Sequence, residues 1–110
     1  MIETKPVIGN WTDKAHVQQL YIDGKWVKPV REKTLPVINP ATGEEIARVA
    51  AATKEDVDKA VAAARKAFDE GKWRTISPQT RARLLNEIAH KIEQHADELA
   101  EIETANNGKT

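Results

Sequence analysis

Cysteine is missing from these 110 residues, which removes thiolate nucleophiles and disulfide staples together. Glycine is scarce and scattered: the five glycines stand singly at 9, 24, 43, 71 and 108, so no glycine-rich loop is available to cradle a phosphate. No Gly-x-Ser-x-Gly elbow is present, and no nucleophile has a visible base. Long apolar runs are also lacking, which excludes a membrane span, and residues 1–9 read as neither a secretory nor a mitochondrial leader. Nor does charge of one sign prevail. Seventeen Lys and Arg balance seventeen Asp and Glu, and the basic residues exceed the acidic by no more than one in either half of the chain. A nucleic-acid partner needs a basic face and is not expected. The expectation is a soluble cytoplasmic protein.

Large apolar side chains are few as well. Hydrophobic residues make up 40% of the chain, but 16 of them are alanine and 28 are larger. Leu, Ile, Val and Phe sum to 23, just above the roughly 20% below which chains tend to stay disordered. The chain should fold, with a lean core.

What is there changes character once, near Thr53. Residues 1–19 read as a loose arm that Trp11 could pin. Leu20-Tyr21-Ile22 and Lys25-Trp26-Val27 flank Asp23-Gly24, a pair suited to the two positive φ angles of a type I′ hairpin turn. Leu35 to Ile38 and Glu45 to Ala50 flank Asn39-Pro40-Ala41-Thr42-Gly43 and read as a second hairpin. Thr53-Lys54-Glu55-Asp56 resembles a capping box, with the shorter Asp where Glu is usual. Val57, Ala60, Val61, Ala64, Ala67 and Phe68 follow at helical spacing, and Gly71 supplies a C′ stop. Ser77-Pro78 opens another helix with Leu85, Ile88, Ala89 and Ile92 on one face. It either runs on to Asn107 or gives way at His95 to a third helix ended by Asn107-Gly108. The chain by itself is thus α+β: two N-terminal β-hairpins followed by about three helices.

The chemistry-bearing residues do not converge. Glu87 and His90 have the Glu-x-x-His spacing of carboxylate-bridged metal sites, but such sites need a second copy of the pair. His16 stands alone in the arm. The acidic pairs Glu44/Glu45, Glu55/Asp56, Asp69/Glu70 and Asp97/Glu98 are adjacent residues; on a helix neighbours point about 100° apart, so they read as solvated faces or first-turn acids rather than acid/base dyads. Trp11, Trp26 and Trp73 lack an interleaved basic stripe and read as buried anchors or interface residues.

The same turns and caps, in this order, resemble the N-terminal region of the NAD(P)-dependent aldehyde dehydrogenase superfamily. The stretches that carry the resemblance are 20–27 (LYIDGKWV), 37–49 (VINPATGEEIARV), 55–74 (EDVDKAVAAARKAFDEGKWR), 77–89 (SPQTRARLLNEIA) and 98–109 (ELAEIETANNGK). The resemblance implies an α/β parent fold with a Rossmann-like cofactor domain, residues 20–110 being the incomplete N-terminal part of that domain. It implies NAD or NADP in the complete enzyme, and a homo-oligomer. In the family a cysteine attacks the aldehyde, hydride passes to the nicotinamide, and a glutamate-activated water releases the acid. The cysteine, the glutamate segment, the phosphate loop and the oxyanion asparagine all belong to regions beyond this match. No catalytic, cofactor-binding or metal residue is therefore carried over, and the chain alone is expected to be inactive and to bind no cofactor. Some members hold a monovalent cation near positions matching Val37 or Ile38 and Asn106, but Asn stands here in place of the acid, removing the charge a hard cation favours. Two readings of the chain follow: a fragment of an aldehyde dehydrogenase, truncated or partial, which could self-associate through unburied helix faces; or a stand-alone interaction module docking through the alanine-rich helix 57–68.

Overall fold

The computed structural model describes residues 17–110. Five short strands precede three helices: β1 (Val17–Gln18), β2 (Leu20–Ile22), β3 (Lys25–Val27), β4 (Thr34–Ile38), β5 (Glu45–Ala50), α1 (Lys54–Glu70), a 3-10 turn (Lys72–Arg74), α2 (Pro78–Gln94) and α3 (Ala96–Asn107). Of the arm expected over 1–19, residues 1–16, with Trp11 and His16, lie outside the described residues. Val17–Gln18 add a strand that pairs in parallel with β5, so the larger sheet runs β1-β5-β4.

Both hairpins form where the turn chemistry placed them. β2 and β3 pair antiparallel around Asp23 and Gly24, whose φ angles of 53° and 74° are both positive, as a type I′ turn requires. The opposed Tyr21 and Trp26 meet edge to face, 5.0 Å between ring centroids. In the β4–β5 turn the Asn39 side chain accepts from the Ala41 N–H at 2.9 Å, and Gly43, at φ 74°, donates back to the Asn39 carbonyl at 2.8 Å. Pro36 sits within β4, which the strand order leaves at the sheet edge, where a missing N–H is tolerated. Arg48 ties the hairpin laterally, donating to Thr34 Oγ1 and Glu45 Oε1, each at 2.9 Å.

The helix signals hold with one difference. Ser77 Oγ accepts from the Thr80 N–H at 3.1 Å, with Pro78 at the first helical position. The open choice beyond Gln79 resolves into two helices, because His95 leaves helical geometry at φ −113°, ψ 19°. Gly108 ends α3 in the left-handed region at φ 77°. Gly71 ends α1, but at φ −73°, ψ 154°, which is extended rather than left-handed. Its glycine is required for another reason: a Cβ there would stand 2.1 Å from the Ala67 carbonyl oxygen, which the Gly71 N–H already engages at 2.9 Å.

The interior is the surprise. Among the described residues Asp56, 3% exposed, and Pro29 are buried, and no apolar side chain other than that proline is. Among the described residues the lean core anticipated from composition is no core at all. The stripes that give α1 and α2 their helical periodicity face outward.

Candidate functional site: an uncovered helical face

Val57, Val61 and Phe68 on α1 and Leu85, Ile88 and Ile92 on α2 are 51–65% exposed. Their spacing is that of core-facing stripes. Fully burying one such side chain stabilises by roughly 1.5–3 kcal/mol, so leaving six in water marks a face built to be covered. Two grooves adjoin at Phe68. One, of about 320 Å³, is lined by Val61, Ala64, Arg65 and Phe68; the other, of about 390 Å³, by Ala67, Phe68, Trp73, Arg74 and Arg81. Arginines flank the aromatics in both: the Arg65 guanidinium lies 5.6 Å from the Phe68 ring centroid and that of Arg81 5.2 Å from Trp73. A third cleft, of about 180 Å³, lies among Val17, Gln19, Lys28, Pro29, Glu32, Thr34 and Ala50.

Asp56 anchors α1 to the β3–β4 connection. Its Oδ2 accepts from the Thr53 N–H at 2.8 Å and the Thr53 hydroxyl at 2.9 Å, so the short carboxylate does close the capping box. Oδ1 and Oδ2 also receive the Val30 N–H, at 3.1 and 3.3 Å, across 26 residues of sequence. The Thr53 N–H is the largest influence holding the Asp56 carboxyl below its ordinary value; desolvation opposes it, while the Thr53 hydroxyl, the Val30 N–H and the Lys59 charge assist. Sequence reasoning assigned Asp56 to the cap but missed Val30, a partner that no local signal announces. It also missed the Trp73–Arg81 contact.

The other candidates separate. Glu87 pairs with Arg83 at 3.0 Å and His90 faces Glu93 at 3.4 Å, all four exposed, so Glu87 and His90 do not act together. His95 faces Glu98 at 3.4 Å. Among the described residues no three His, Asp or Glu side chains gather in a way that would hold a metal. Glu55, Asp56, Asp97 and Glu98 occupy first helical turns, and Asp69 meets Arg65 at 3.5 Å. Trp26 and Trp73, expected as buried anchors or interface residues, are 59% and 48% exposed. Neither is buried among the described residues. The end of α3 meets the Asn-Pro turn, where a Cβ on Gly108 would lie 3.3 Å from the Pro40 ring. Asn106 itself is exposed. No helix among the described residues is long and apolar enough to cross a membrane.

The profile of the Aldehyde dehydrogenase family matches residues 26–110. An aldehyde dehydrogenase of Aspergillus niger is 50% identical over 91 residues, 83% of this chain and 18% of that relative. The mitochondrial aldehyde dehydrogenase of Homo sapiens is 46% identical over 101 residues, 91% of this chain and 20% of the relative. Betaine aldehyde dehydrogenase of Staphylococcus aureus, solved in complex with NAD+, superposes with a TM-score of 0.82 at 43% identity, over 84% of this chain and 18% of that one. The chain thus spans about a fifth of the length of the relatives it matches. Nothing among them supports a stand-alone interaction module. The match across 85 of 110 positions, with strands and helices in the same places, shows that the chain belongs to the aldehyde dehydrogenase family, as an N-terminal fragment of it.

Proposed function

We propose that these residues are the opening section of a cofactor-binding domain in an enzyme that oxidises an aldehyde to a carboxylic acid with NAD or NADP, and that they contribute scaffold rather than chemistry. The observation that carries this reading is the outward apolar face of α1 and α2 on a chain that spans one fifth of its relatives. In the complete enzyme that face packs against the rest of a Rossmann-like domain. A homo-oligomer and a cytoplasmic location belong to the same reading.

The NAD+ in the Staphylococcus aureus relative supports a nicotinamide cofactor, which supplies the hydride acceptor. The described residues do not fit it. A pyrophosphate needs glycines that let backbone N–H groups approach at a helix start. Here Gly24 and Gly43 lie in open turns, Gly71 is closed off by the Ala67 carbonyl, and Gly108 lies against Pro40. No residue of the chain is assigned a catalytic, cofactor-binding or metal-binding role. Its own contribution is positional: Asp56 locks the β3–β4 connection onto α1, and α1 and α2 present the surface on which the remaining domain rests.

A chimera tests this, with the chain replacing the matched region of the Staphylococcus aureus betaine aldehyde dehydrogenase. The chimera is expected to reduce NAD+ when given betaine aldehyde, whereas the 110-residue chain yields no NADH above a heat-killed control. An inactive chimera, or NADH from the chain alone, contradicts the proposal.

A further inference from the structure

The groove between the end of α1 and the start of α2 holds an unmet demand. Arg81 lies over the Trp73 ring and donates from Nη2 to the Trp73 carbonyl at 3.0 Å, yet its Nε is sealed from solvent with no acceptor among the described residues. Among the described residues Arg74 reaches the Asp69 carbonyl alone, at 3.5 Å. Two guanidiniums and two aromatic rings line one groove, and none of its lining residues is acidic. A guanidinium held over a ring, in a groove whose lining carries two positive charges and no acid, is placed to receive a carboxylate through its terminal N–H groups.

We propose that this groove docks a carboxylate-bearing apolar segment of the remaining part of an aldehyde dehydrogenase chain, with Arg81 as its anchor. The inference rests on the functional reading above. Charge complementarity defines the occupant: the aromatic floor takes apolar side chains, and the Arg81–Arg74 rim takes the acid. The relatives, about five times as long as the match, have ample chain to supply it.

The test uses the same chimera. Arg81→Lys places an amine where the guanidinium stood, and a carbodiimide then joins it as an amide to any carboxylate in contact. The expected product is one cross-linked peptide reaching an acidic residue of the Staphylococcus aureus portion. In the unsubstituted chimera, Arg81 and Arg74 lose reactivity to phenylglyoxal while exposed Arg83 keeps it; this footprint reads the same contact if the lysine variant does not fold. Arg81→Met raises the unfolding equilibrium constant of the chimera by roughly a hundredfold or more, the usual consequence of breaking a buried pair. Arg83→Met, which removes an exposed i,i+4 pair, changes it by no more than about threefold. An inactive chimera overturns the functional reading and this inference with it. An active chimera in which Arg81 reacts like Arg83, or in which the introduced amine links only to acids of this chain such as Asp97 or Glu101, overturns the docking inference alone.

Discussion

Truncating Phe68 or Ile88 to alanine should leave the helicity of the 110-residue chain unchanged, yet cost the chimera about 3–5 and 2–5 kcal/mol respectively. The contrast follows from context. In the chain alone Phe68 is 65% exposed and Ile88 53%, and surface truncations of that kind usually fall within about 0.5 kcal/mol. Once the rest of the domain covers the face, the same side chains fill space, and deleting them leaves a cavity as well as losing transfer free energy. Circular dichroism of the chain and urea unfolding of the chimera read the two arms. Equal effects in both settings would mean that the face stays uncovered in the larger protein.

Asp56→Asn should free the β3–β4 connection from α1. The carboxylate accepts donors on both oxygens, from Thr53 on one side and from Val30 across both. An amide offers one acceptor and turns its NH2 toward an N–H, so either Thr53 or Val30 loses its partner. Hydrogen exchange on the chimera should show the Val30 or Thr53 amide exchanging as an unprotected group, while amides in the middle of α2 keep their rates. The pH dependence has a definite sign. Hydrogen bonding depresses the Asp56 pKa in the folded state, so the tie is fully present above the ordinary aspartate value. It weakens as pH falls through the depressed folded value. Protection at Val30 should therefore persist to more acid pH than an ordinary aspartate would allow, and vanish below that in the unsubstituted protein. Unchanged exchange at both amides in Asp56→Asn would show that the carboxylate is not the tie.

The legible parts of this fold are those in which a residue type answers a local backbone demand. Asp23-Gly24 gave both positive φ angles, Ser77-Pro78 the start of α2, and Thr53 with Asp56 the start of α1. Gly71 was legible as a stop but not in its manner, because the crowding by Ala67 depends on how the chain leaves the helix. The parallel pairing of Val17–Gln18 with β5 spans some thirty residues and has no turn to announce it. The Asp56–Val30 bond and the Arg81–Trp73 contact are likewise tertiary. Helical spacing of Val57, Val61 and Phe68 correctly said that one face differs from the other; it could not say whether the partner surface lies within these residues. That is a property of neighbours, and the periodicity is the same whether the face is covered by this chain or by another part of a larger one.

Differential scanning calorimetry of the purified 110-residue chain reaches the central claim most directly, namely that the described residues enclose no hydrophobic interior of their own. An autonomous domain of this length absorbs about 75 kcal/mol in one cooperative transition. The chain alone is expected to show no such peak, only a gradual baseline change as its helices melt. A sharp endotherm of that size, with calorimetric and van't Hoff enthalpies equal, would mean that the chain closes a core without help, and the account would be wrong.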